Sequence, residues 1–112
     1  MIDVTIRDYL LTQITNTVIA FEQPQERPKE FILLQKIDGG ETNKLKASTF
    51  SIKAKATNQY TAAVMNESIK SAMFTINTLD DVSGVRQGGE DGRIDTSNQM
   101  YEYETIWNVY HY

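Results

Sequence analysis

Residues Ser48 to Ile76 read STFSIKAKATNQYTAAVMNESIKSAMFTI, and the spacing of their apolar side chains changes once along the way. From Ser48 to Ala56 the period is two. Phe50, Ile52, Ala54 and Ala56 point one way and Thr49, Ser51, Lys53 and Lys55 the other, as in a half-buried strand. At Thr57-Asn58 the period lengthens. Either side chain can accept from the free N–H groups of a first helical turn. Beyond them Ala62, Met65, Ile69, Ala72, Met73 and Ile76 recur at helical spacing as one apolar stripe. Asn66, Glu67, Lys70 and Ser71 are expected to face away from it. A strand running straight into an amphipathic helix, folded back over a sheet, is a scaffold and carries no chemistry by itself.

Working outward, Asp3 reads as a helix cap, followed by Ile6, Leu10 and Ile14, with Tyr9, on one side of a helix that stops near Asn16. Thr17 to Phe21 is a β-branched run suited to a short edge strand. EQPQERPKE then holds both prolines, Pro24 and Pro28, and reads as a loop or strand edge, because proline cannot donate to a ladder. Phe31 to Ile37 predicts a strand, and Asp38-Gly39-Gly40 opens a turn running to about Lys44, so that the pair forms a hairpin. After the central helix, Leu79 to Gln87 predicts a strand with a possible bulge at Gly84. Gly88 to Gln99 predicts a loop, much longer than a hairpin's usual two to five residues. The last strand, Met100 to Tyr112, places Tyr101, Tyr103, Trp107 and Val109 on one side and Ile106 and Tyr110 on the other. The expected architecture is α+β in the order α-β-β-α-β-β: a single antiparallel sheet of about four to five strands with two helices packed on one face.

At 112 residues the chain is expected to form a single domain, 1–112, with one modest core. A hydrophobic content of 40% and a charged content of 23% are ordinary for a globular protein. No apolar run approaches the roughly 20 residues that span a bilayer, so no membrane partner is expected. The absence of cysteine removes disulfides and thiolate chemistry, and favours a cytosolic site of synthesis. Eleven basic against fifteen acidic residues, a net charge of −4, argue against a protein living by phosphate contacts, so sequence-specific nucleic-acid binding is not expected.

Two strands look apolar on both sides. Phe31, Leu33 and Ile37 are opposed by Ile32 and Leu34, and Trp107 and Val109 by Ile106 and Tyr110. Helices on one face leave the second face bare, so either the sheet curls over itself or a second copy covers it. Tyr60 and Phe74 sit on the back of the central helix, placed either to pack within the subunit or to touch a neighbour.

Convergent catalytic groups are hard to assemble from this sequence. Its one histidine, His111, is next to the C-terminus, where an exposed or edge-packed residue is expected rather than a general base. Asp80-Asp81 and Glu90-Asp91-Gly92 lack the alternating acidic pattern of a calcium loop. Gly88-Gly89 with Gly92 lacks the lysine of a phosphate loop. The tyrosines of the last strand could stack bases, but Glu102 and Glu104 stand between them where basic residues would be wanted. The expectation is no enzyme, no metal and no cofactor. Lys44, Lys46, Lys53 and Lys55 make a small basic stripe along the hairpin, with alternate residues sharing a face. It could meet an acidic neighbour such as the Glu90-Asp91 loop of another subunit.

The order of parts resembles the tail-terminator or tail-completion proteins of tailed bacteriophages, also described as minor tail or head–tail joining proteins. The likeness covers a helix ending near Asn16, the link from Pro24 to Pro28, and a strand pair entering the helix at Tyr60-Thr61-Ala62-Ala63-Val64. It continues through Val82 to Arg86, a Gly/Asp loop and a closing strand from Tyr101 to Tyr110, without a diagnostic motif. The resemblance implies a homo-oligomer, typically a six-subunit ring, that caps the tail tube, ends its polymerisation and meets the head connector or neck. Its partners would be itself, the tail-tube protein and the connector. It would be found at the head-proximal end of the virion tail, and in the bacterial host cytoplasm during assembly. Candidate interface residues are Lys44, Lys46, Tyr60, Phe74, Arg86, Glu90, Asp91, Arg93 and Ile94, with the two loops facing the channel or adjoining layers. The rival readings are a head-completion or neck protein, or a small ligand-binding or regulatory domain.

Overall fold

The computed structural model describes residues 2–14, 17–22, 29–42, 45–80, 82–95 and 100–112, with backbone alone at 38–42, 45 and 93–95. Helix α1 (Ile2–Gln13) is followed by β1 (Val18–Ala20), β2 (Glu30–Thr42), β3 (Leu45–Ala56), α2 (Gln59–Met73), a 3-10 turn (Ile76–Thr78), β4 (Val82–Asp95) and β5 (Met100–His111). The five strands form one sheet in the order β1-β2-β3-β5-β4.

The stretch from Ser48 to Ile76 folds as its periodicity requires. Asn58 caps α2, its Oδ1 accepting from the Thr61 N–H at 2.8 Å. Ala62, Met65, Ile69, Ala72, Met73 and Ile76 are all buried. They join Phe50, Ile52, Ala54 and Ala56 of β3, with Ile6 and Leu10 of α1, in one core over the helix-covered face. Asn66 departs from expectation: it is buried, because the helix turns it toward β4 rather than toward solvent. Asp3 lies inside the first turn of α1, its Oδ1 accepting from the Val4 N–H at 3.0 Å, where a carboxylate suits the positive end of the helix dipole.

Three features correct the expected architecture. The sheet is mixed, not wholly antiparallel, and a fifth strand changes the order to α-β-β-β-α-β-β. β1 pairs parallel with β2, Val18 opposite Phe31 and Ala20 opposite Leu33. A parallel pair cannot be joined by a tight turn. Next, the expected turn from Asp38 is strand as far as Thr42, which pairs with Leu45. Finally, the expected loop from Gly88 is strand as far as Asp95, which pairs with Met100, leaving 96–99 as the connection. Glycine and aspartate are poor strand formers alone, but here the pairing partner decides. Opposite Gly92 lies Tyr103, so close that a Cβ on Gly92 would come within 2.8 Å of the ring. β4 starts at Val82 rather than Leu79, whose N–H closes the 3-10 turn on the Ile76 carbonyl at 3.0 Å.

The register slips at Ile37 of β2 and at Ser83 and Gly88 of β4. Bulges increase local twist, and those at Ile37 and Gly88 adjoin one row of paired residues, Lys36–Phe50–Trp107–Gln87. At the centre of that row the Trp107 ring is fully buried, meets Phe74 edge-on at 5.1 Å and donates its indole N–H to Thr105 Oγ1 at 2.7 Å. A buried indole needs such a partner.

The far face is mostly closed within one copy. Phe31 and Leu33 are buried with Met100, while Ile106 and Tyr110 are half-buried. Beside them the centre of the face is polar and cross-linked. Lys55 pairs with Glu102 at 3.2 Å, Ser51 Oγ donates to Glu104 at 2.6 Å, and Thr49 Oγ1 donates to Asn108 at 2.8 Å. Of the two covers expected for the second face of β2, a second copy is not needed for Phe31 and Leu33, while Ile37 stays exposed.

Candidate interaction surface

The nucleophile–base contact that stands out is Ser48 Oγ to His111 Nε2, 2.9 Å and buried. His111 is not a fraying end: it is held in β5 between Lys46 and Val82. Burial depresses its pKa, and the nearby Lys46 and Lys36 add to the depression, while a backbone hydrogen bond at Tyr112 opposes it. Neither residue lines the described grooves. Among the described residues no three His, Cys, Asp or Glu gather as metal ligands.

An open groove of about 570 Å³ runs along the outer side of α2, lined by Gln13, Tyr60, Val64, Glu67, Ser71 and Thr75 among others. Its walls are small and mixed, and Tyr60 stands out at 79% exposure. A second, smaller groove shares Gln13, Tyr60 and Val64 with it. Such a surface fits contact with another macromolecule better than enclosure of a small ligand, whose sites are concave and bury most of the ligand.

On the other side of α2, a polar bridge fixes the helix to β4. Lys70 Nζ lies 2.9 Å from Glu67 and 3.1 Å from Glu90, and Asn66 Nδ2 donates to Glu90 at 3.0 Å. The hydrogen bond from Lys70 is the main cause that lowers the Glu90 pKa, and the hydrogen bonds Lys70 donates to Glu67 and Glu90 raise its own. Glu90, expected to reach another subunit, is thus engaged within its own. Asn66 Oδ1 is buried with no hydrogen-bond partner among the described residues.

The remaining candidates are spread over the molecule rather than brought together. Lys44 lies outside the described residues. Lys46 is exposed at the start of β3, on the opposite face from Lys53 and Lys55, since odd and even positions of a strand point apart. The expected basic stripe is therefore split, and its second half is neutralised by Glu104 at 4.0 Å and Glu102 at 3.2 Å. Arg86 and Asp91 are exposed on β4, and the Arg93 and Ile94 backbones pair with Glu102 and Tyr101. Phe74 packs on Trp107 within the subunit yet stays 55% exposed.

Thr17 to Phe21 was legible as an edge strand, but the extent of the open edges was not. β4 is terminal in the sheet, and β1 covers β2 only from Phe31 to Leu33. The length of each edge depends on pairing, which no local pattern announces. Ile37, counted in the apolar excess of β2, is 56% exposed at its bulge.

No protein-family model matches the sequence, and no curated protein matches it. Among solved structures the chain is similar to one from the virion of a native gene transfer agent particle. The TM-score is 0.71 over 95% of this chain and 90% of that one, at 10% sequence identity. At that identity the likeness is one of fold alone, and it runs nearly the full length of both chains.

Proposed function

We propose that this chain is a structural protein of a phage-like virion, acting by assembly rather than catalysis, and that it serves as the tail terminator. The observation that carries the reading is the shared fold, almost end to end, with a chain of a gene transfer agent virion. The open, mixed surface along α2 agrees with a protein that works by contact. In this role copies close into a ring, typically of six, on the last layer of the tail tube. The ring blocks further addition of tube protein sterically and offers its upper surface to the head connector.

Deleting the gene from its phage or phage-like element, and imaging the products by electron microscopy, tests the role. Loss of a terminator gives tails of uncontrolled length that fail to join heads. Tails of normal length beside tailless heads would assign the chain to the neck instead, and unchanged, infectious particles would remove the virion role altogether.

A further inference from the structure

We infer that copies of this chain associate edge to edge, the outer edge of β4 in one copy pairing antiparallel with the part of β2 that β1 leaves uncovered in the next. The inference deepens the assembly reading above and rests on it. Two edges remain without a strand among the described residues: β4 along Val82–Glu90, and β2 beyond Leu33. An exposed edge is a row of backbone donors and acceptors ready to pair with another chain.

Direction favours this union. β2 is antiparallel to β3, β3 to β5, and β5 to β4, so β4 runs opposite to β2. A rotation about an axis along the strands brings the next copy's β2 against β4 without reversing it, and the new pair is antiparallel. Such a contact is head-to-tail and yields a ring where the rotation closes.

Height agrees as well. Following the pairing across the sheet, Lys36 is level with Gln87 and Asp38 with Arg86. Edge bulges ordinarily discourage pairing by twisting the edge away. Here the bulges at Ile37 and Gly88 flank one row of paired residues, Lys36–Phe50–Trp107–Gln87, from its two sides. Two exposed apolar side chains lie near that row. Phe74 stands against Trp107, one strand in from the β4 edge, and Ile37 sits on the β2 edge. Joined at this register, the charges of Arg86 and Asp38 are opposite in sign.

The natural chain has no cysteine, so engineered pairs report cleanly. Arg86→Cys is combined in turn with Gln35→Cys, Asp38→Cys or Gly40→Cys to allow for register, and the purified full-length chain is mildly oxidised. One combination is expected to give a ladder of covalent multimers on a denaturing gel, ending at the closed ring, where Arg86→Cys alone gives none. Ile37→Glu, which leaves the core untouched, is expected to weaken self-association by about tenfold or more in light scattering, with the urea midpoint unchanged. An associating chain that gives no ladder and tolerates Ile37→Glu overturns the edge contact and leaves the assembly reading standing. Dimers from Arg86→Cys alone would mean β4 meeting β4 about a two-fold axis, which also overturns it. A chain that stays monomeric at every concentration removes the edge contact, and the gene deletion then decides the assembly reading separately.

Discussion

Replacing Lys55 with methionine removes one half of the buried ion pair it makes with Glu102. The two side chains are only 7% and 6% exposed, and their atoms lie 3.2 Å apart. At that distance, with an effective dielectric of about 20, their attraction is about 5 kcal/mol. Most of that offsets the cost of taking two charges out of water. Lys55→Met and Glu102→Met are each expected to lose about 3 kcal/mol, because each breaks the buried pair from one side. The double variant should stay within about 1 kcal/mol of the parent, since Phe31 and Met100 beside the site give two methionines apolar company. The coupling across the cycle is then about 5 kcal/mol, the size of the Coulomb figure. Urea unfolding followed by fluorescence reads this directly, because the chain's one tryptophan, Trp107, is fully buried. A double variant as unstable as both singles combined would refute the reasoning, as would a Lys55→Met that loses less than about 1 kcal/mol.

Gly92→Ala should lose about 1–2 kcal/mol as the new Cβ displaces the Tyr103 ring. Gly89→Ala, with nothing within 4 Å of its Cβ, should be neutral or gain about 0.5 kcal/mol. Equal losses at both would acquit Tyr103. Asn58→Ala should lower stability by about 1 kcal/mol, and Asn58→Asp should keep most of it; equal losses in the two would show that the cap bond does not matter. His111 has a folded-state pKa below its ordinary 6.5, so the unfolded chain takes up the proton first. Stability from this group is therefore intact above pH 6.5 and declines as pH falls through 6.5 toward the depressed value. His111→Gln should lack that part of the slope, and identical pH profiles would contradict the assignment.

What was legible in the sequence was local. The change of period between Ala56 and Ala62 and the cap at Asn58 are settled by neighbours within one turn, and both elements formed as read. The extension of β4 was not legible, because Gly88, Gly89 and Gly92 signal a turn until β5 pairs with them and Tyr103 fills the space over Gly92. The direction of β1 depends on the path of 21–29 rather than on the β-branched run that marks the strand. Asn66 looked solvent-facing because α2 was read against a single stripe, whereas its C-terminal half is also fastened to β4 through Lys70 and Glu90. The apolar excess on β2 was counted correctly and its cover was not. Phe31 and Leu33 close with Met100 in one copy, and the surface left for a neighbour lies at the edges instead.

The central claim is that this molecule works by joining copies of itself within a virion. Electron microscopy of particles carrying a labelled chain tests it most directly. The expected image is a closed ring of copies at the head-proximal end of the tail, with β4 of each beside β2 of the next. Particles in which the label is absent, or present as isolated single copies, would contradict it.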